Sequence, residues 1–122
     1  MLNKIGQIAV NVKDPERATA FYRDTLGMKY LFSAPPGLSF FDANGTWLML
    51  GPPSDPEFDH PSSILYFEVA DIKATHAALK QKGVEFRTEP HCIHRQDGKE
   101  LWLCDFRDSE GNTHALRSWI PS

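Results

Sequence analysis

The chain has 122 residues, 41% hydrophobic and 11% aromatic, enough apolar material for one domain with a real core and too much for an intrinsically disordered chain. Thirteen Lys and Arg stand against sixteen Asp and Glu, a formal net charge of −3, and the basic residues are scattered, so nucleic acid and anionic membranes lack an electrostatic footprint to bind. No apolar run is long enough to span a bilayer and no signal-peptide pattern opens the sequence, so a cytoplasmic location is expected.

The first strand follows from alternation: Ile8, Val10 and Val12 on one side, Gln7, Ala9 and Asn11 on the other. The period then changes. Asp14 is suited to cap a helix, Pro15 to open it and Gly27 to stop it, with Ala18, Phe21 and Tyr22 on one helical face. Three extended runs follow, "MKYLF", "LSFF" and "TWLML", the last two joined by the hairpin signal Asn44-Gly45. The unit reads βαβββ.

The same order returns from Ser62. "SILYFEV" is a strand, Asp71 a cap, "IKATHAALKQK" a helix and Gly83 its stop; "VEFRTEP", "ELWLCDF" and "THALRSW" are strands. Asp97-Gly98 marks one turn and "DSEGN", Asp108 to Asn112, another. The expectation is a single domain over 1–122 built by duplication, with repeats at 1–51 and 62–120. The linker 52–61 is proline-rich, too stiff to pair or coil, and Phe58 within it is expected to dock on the domain. Cys92 and Cys104 form no CxxC motif and no disulfide framework, and read as free thiols.

The doubled βαβββ order, with "DPERATAFYRDTLGMK" in the first half and "FRDSEGNTHAL" in the second, resembles the vicinal oxygen chelate superfamily of glyoxalases, bleomycin-resistance proteins and extradiol dioxygenases. The resemblance covers essentially the whole chain. It implies an α+β fold: two βαβββ modules forming curved antiparallel sheets around a shared trough, with the helices outside.

Enzymes of this family generally hold a divalent metal with four inward side chains, His, Gln or Glu, on the first and last strands of each half. The resemblance carries those places onto Gln7, Met49, Ile64 and Ala115. Only Gln7 could ligate a hard or borderline cation, and one neutral amide cannot hold such an ion against water. No cofactor is therefore expected, and a divalent metal at an unconventional site is the minority reading. His91 and His94 are three apart and would point to opposite faces of a regular strand, a poor chelate unless Pro90 bends the segment. His60, His76 and His114 read as surface or structural histidines.

The family geometry turns Gln7, Asn11, Trp47, Met49, Ile64, Tyr66, Ala115 and Arg117 toward the trough, while Leu48, Leu50, Leu65, Phe67 and Val69 face the helices. Aromatic and soft apolar side chains with a few polar groups suit a small, partly planar organic ligand, although an ordinary space-filling core is the plainer alternative. Trp102 is a further ligand-binding candidate, with the trough-facing side of its strand left open. Arg117 reads either as an anchor for an acidic group of the ligand or as the partner of Glu68. Glu68, His91 and His94 are the candidate catalytic acids and bases.

Two functions stand side by side at this level. One is a metal-free binder of a small organic ligand, similar to the bleomycin-resistance branch; the other is a glyoxalase- or dioxygenase-type enzyme with an unconventional metal or acid–base chemistry. The resemblance also implies a homodimer.

Overall fold

Asn44 and Gly45 both take positive φ, 53° and 95°, the mirror-image turn whose twist matches that of the strands it joins. It connects two antiparallel strands, β3 (Leu38–Ala43) and β4 (Thr46–Gly51), in the computed structural model, which describes residues 1–122. β1 (Gln7–Asn11) lies parallel to β4, with Gln7 beside Trp47 and Ala9 beside Met49. β2 (Lys29–Ala34) closes the other side of β3, for a strand order β1-β4-β3-β2. These elements belong to the first of two compact units, Met1–Ser63; the second is Ile64–Ser122.

One helix covers one face of the first sheet. In α1 (Pro15–Ala20) the Asp14 carboxylate accepts the Arg17 N–H at 3.2 Å, the cap that the sequence implies. The helix does not run regularly to Gly27. Phe21–Thr25 is a wider π turn, closed by the Leu26 N–H donating to the Phe21 carbonyl at 2.9 Å, and Gly27 ends it at φ 71°. Ala18 and Tyr22 are wholly buried against a sheet face made of Val10, Phe41, Leu48 and Leu50. Each of those larger side chains contributes about 1.5–3 kcal/mol on burial.

The linker packs as part of this first unit through Asn11. Its backbone N–H donates to Ser62 Oγ at 3.0 Å, and its side-chain Nδ2 donates to the carbonyls of Phe58 and His60 at 2.7 and 3.1 Å. The expected docking of the Phe58 ring is corrected accordingly. That side chain is half exposed, and the linker is held by its main chain, the part of a proline-rich segment that carries spare acceptors.

In the second unit, β5 (Leu65–Glu68) is parallel to β9 (Thr113–Pro121), and β8 (Lys99–Arg107) is antiparallel to β9. The other edge of β8 is shared by two strands, where the sequence reading has the single strand "VEFRTEP" and none over residues 91–96. β6 (Glu85–Phe86) pairs with Phe106 and Arg107, and β7 (His91–Gln96) pairs with Lys99 to Leu103. Arg87 to Pro90 leave the ladder between them, as Pro90 lacks the N–H that a ladder needs. α2 (Ile72–Gln81) starts on Asp71, which accepts the Ala74 N–H at 3.0 Å, and buries Ile72, His76 and Leu79 at helical spacing.

Its sheet-side partners are Phe86, Cys104, Phe106, His114 and Leu116. His76 sits edge-on to Phe86, with centroids 4.4 Å apart, and its Nε2 lies 3.4 Å from the Glu89 carboxylate. His114 is fully enclosed between the rings of Phe67 and Phe106. Burial pushes its imidazole below the ordinary value of 6.5, against the opposing pull of Asp108 and the Thr113 backbone.

His114 ties stability to pH with a definite sign. The folded state holds this imidazole neutral, so below the unfolded value the unfolded chain binds more protons. The contribution is complete above that value and is lost as pH falls through the gap. Urea midpoints should therefore drop between about pH 7.5 and pH 5.5, and His114→Asn should make that part of the profile flatter whatever its effect on absolute stability.

Candidate functional site

On the first unit, the sheet face turned away from α1 is an aromatic surface. Phe32 and Phe40 stack at 4.5 Å with their planes 17° apart, and Trp47 meets both edge-on at 5.5 Å. Phe32 and Trp47 keep 41% and 39% of their surface exposed, enough for a flat ligand to cover. Gln7 and Met49 meet beside this group, with Nε2 directed at Sδ across 3.7 Å. A thioether is a weak acceptor, so the amide retains its capacity to bind something better.

The second unit carries a pocket of about 280 Å³ on its own helix-free face, lined by Ile64, Tyr66, His91, Leu103, Thr113 and Ala115 and closed at one end by Arg87, Thr88 and Asp105. The broken strand makes that polar end. Having left the ladder, Arg87 and Thr88 turn back onto Asp105: Arg87 Nε donates to one carboxylate oxygen at 2.9 Å and Nη2 to the same oxygen, while Thr88 Oγ1 donates to the other at 3.0 Å. The Asp105 N–H in turn donates to Thr88 Oγ1 at 3.0 Å. A shielded carboxylate satisfied at both oxygens is a fixed feature, and the apolar side chains of Ile64, Leu103 and Ala115 line the pocket beside it.

Leu103 and Asp105 line the pocket, so Trp102 points to the helix side; its indole N–H donates to Glu100 at 2.9 Å and Lys73 of α2 sits 4.5 Å from its ring centroid. Trp102 is thereby moved from pocket wall to helix packing. Its hydrogen bond, with Arg95 adding a second, holds the Glu100 carboxyl below the usual range.

The histidine expectation also changes. A bulge at Ile93 sets His91 opposite Leu103 and His94 opposite Leu101, so both lie on one face instead of two. They remain apart in role: His91 reaches the pocket, with Nδ1 at 2.8 Å from the Glu89 carbonyl, while His94 turns to Gln96 at 2.8 Å and to the Trp119 ring. Glu68 and Arg117 form an ion pair at 2.8 Å outside the pocket, which favours the partner reading of Arg117. Asn11 is engaged with the linker. Cys104 supplies no nucleophile, since burial pushes its thiol up to about 11.

Sequence reasoning passes over Phe32, Phe40, Arg87, Thr88 and Asp105. The two phenylalanines are legible from parity with Met49 once the strand register is fixed, because Phe40 lies beside Met49 and Phe32 beside Phe40. The Arg87–Asp105 pair is not, because it depends on where a strand breaks.

The metal that the family implies meets an unsuitable donor set. An amide and a thioether on the first unit, and an alkyl chain and a methyl group on the second, offer one hard oxygen in all. No three His, Cys, Asp or Glu side chains gather into a group that could hold a metal ion.

Residues 4–116 match the family described as Glyoxalase/Bleomycin resistance protein/Dioxygenase superfamily. YurT, an uncharacterized protein of Bacillus subtilis (strain 168), is 33% identical over 124 residues, covering 89% of this chain and 94% of its own. Among solved structures, a superfamily member from Sphaerobacter thermophilus DSM 20745 is similar at TM-score 0.79 and 23% identity, covering 94% of this chain and 96% of that one. TnmS3, an antibiotic binding protein from Streptomyces sp. CB03234, is similar at TM-score 0.76 and 24% identity, covering 98% and 97%. At these identities the structural likenesses establish the α+β fold.

Asn11→Ala tests the structural role found for that residue. Two carbonyls lose their donor, and urea unfolding should show a loss of about 1–2 kcal/mol with the slope unchanged. A ligand contact alone would leave the free protein's stability unaltered.

Proposed function

The chain belongs to the glyoxalase/bleomycin resistance protein/dioxygenase superfamily, and we propose that within it this protein binds a small, partly planar organic molecule and does so without the family's usual divalent metal. The observation that carries this reading is the exposed pair Phe32 and Trp47, backed by the buried Phe40, beside Gln7 and Met49. Aromatic faces held in fixed mutual orientation attract flat, weakly polar molecules, and the neighbouring amide can select among them by hydrogen bonding. The pocket of the second unit supplies the complementary kind of surface, an apolar wall with a fixed polar end. Similarity to an antibiotic binding protein of the same fold supports a sequestering role. A homodimer in the cytoplasm is the working form under this reading.

His91 is the one candidate acid–base group in a pocket lining, and it gives an enzymatic second reading its only foothold. A ligand consumed over time, with His91→Ala stopping consumption but not binding, would decide for that reading.

Metal analysis of untagged protein should find no stoichiometric Fe, Mn, Ni or Zn; a full equivalent of any of them would sink the metal-free reading. Thermal-shift screening with planar aromatic acids and glycopeptides should raise the melting temperature by mass action. Trp47→Ala should then weaken the best planar ligand about tenfold, the upper end of what one aromatic contact provides. Sedimentation of the untagged protein should give twice the chain mass.

A further inference from the structure

In the pocket of the second unit the only lining carboxylate is closed to a ligand, while the cation that holds it is not. Asp105 accepts Arg87 Nε and Nη2 at one oxygen and Thr88 Oγ1 at the other, and its side chain keeps only 14% of its surface exposed. The Arg87 side chain keeps 65%. A guanidinium carries five N–H donors, and Asp105 engages one at Nε and one at Nη2, so the two on Nη1 and the second on Nη2 stay uncommitted.

His91 is the second group. Its Nδ1 lies 2.8 Å from the Glu89 carbonyl; a carbonyl has no proton to give, so Nδ1 carries the ring proton and a second proton enters at Nε2. An imidazolium formed there has no counter-ion in the protein, because each carboxylate around it is engaged elsewhere. Asp105 of β8 is held by Arg87 and Thr88, and Glu100 of β8 by Arg95 at 2.9 Å. The Glu89 carboxylate lies 3.4 Å from His76 and 3.6 Å from Lys80, both on α2, and Glu68 of β5 pairs with Arg117 of β9 at 2.8 Å. On β7 itself His94 turns to Gln96, and the Cys92 thiol donates to the His94 carbonyl at 3.6 Å. Tyr66 and Thr113 bring only hydroxyls to the lining.

We propose that this pocket binds a small organic carboxylate, its oxygens shared between the Arg87 guanidinium and the His91 imidazolium and its apolar body resting on Ile64, Leu103 and Ala115. The inference rests on the reading of this pocket as a ligand site and adds the charge of what enters it. Arg87 and Asp105 cancel, so an anion entering alone would leave the site net negative. A proton taken up from water at His91 Nε2 restores neutrality and supplies a charge-assisted hydrogen bond. Carboxylate binding and protonation of His91 are therefore linked, each strengthening the other by the same factor. A carboxamide of the same shape needs no proton and gains nothing from one.

The test uses cyclohexanecarboxylate, which is not flat and so suits the aromatic surface of the first unit poorly, beside cyclohexanecarboxamide as its uncharged counterpart. Each is titrated at about pH 5.5 and about pH 8, either side of the ordinary imidazole range and both above the carboxylate range, while backbone amide resonances are followed by NMR. Saturable shifts centred on Leu103, Thr113 and Ala115 are expected with the carboxylate, with an affinity at the lower pH at least about tenfold above that at the higher. The carboxamide should bind more weakly than the carboxylate at the lower pH, and equally at both. His91→Gln, on an exposed strand, keeps a hydrogen-bonding side chain that cannot charge, so the carboxylate affinity at the lower pH should fall to the value at the higher. Arg87→Lys keeps the charge and gives up the fork, and should weaken the carboxylate at both; if it does not fold, His91→Gln decides alone. Equal affinity for the carboxamide, an affinity indifferent to pH, or an unchanged pH profile in His91→Gln would each overturn the proposal and leave the pocket a ligand site. No saturable shift in the pocket with either probe would remove the site and the proposal together.

Discussion

A β-strand has two faces, and in each unit a single helix claims only one of them. That constraint governs the rest. Val10, Leu48, Leu50 and Phe41 on the first unit, and Cys104, Phe106, His114 and Leu116 on the second, are drawn under α1 and α2. Alternation then leaves Gln7, Trp47 and Met49, or Ile64, Tyr66 and Ala115, with no helix to cover them. A slip of one residue in any of these strands would exchange core for candidate site; the tight turns with positive φ at Asn44-Gly45 and Asp97-Gly98 fix the register of β3 on β4 and of β7 on β8.

The departures from regular structure are what give the uncovered faces their chemistry. Interrupting the strand at Arg87 to Pro90 costs ladder hydrogen bonds on one edge of β8, and the loss is offset where Arg87 and Thr88 close on the Asp105 carboxylate and the Arg87 N–H reaches the Asp105 carbonyl at 2.9 Å. The bulge at Ile93 likewise moves His91 onto the face of Leu103. A regular strand of the same composition would place these groups on alternating faces, and the pocket would have no polar end.

Features set by a residue and its nearest neighbours were legible in the sequence: the caps at Asp14 and Asp71, the two glycine turns, the strand parities, and from them the placement of Gln7, Trp47, Met49, Ile64, Tyr66 and Ala115 away from the helices. Features set by partners distant in sequence were not. Asn11 looks like a site residue until the linker carbonyls of Phe58 and His60, 47 and 49 residues away, are found on its amide. Trp102 alternates correctly, yet only the pairing of β8 decides which of its two apolar sides meets α2.

Gln7, Met49, Ile64 and Ala115, the positions that the resemblance matches to the family's metal donors, hold one amide, one thioether and two hydrocarbon groups, so the interactions they offer are mainly apolar contact and shape. The polar groups lie elsewhere: at Asp105 with its attendant donors on the second unit, and at the Thr19 and Ser39 hydroxyls beside the Pro15 carbonyl on the first. In both places the polar atoms satisfy one another before any ligand arrives. A preorganised network of this kind loses little freedom on binding, so a partner of modest size can be selected by the direction of its hydrogen bonds instead of by the strength of a metal–ligand bond.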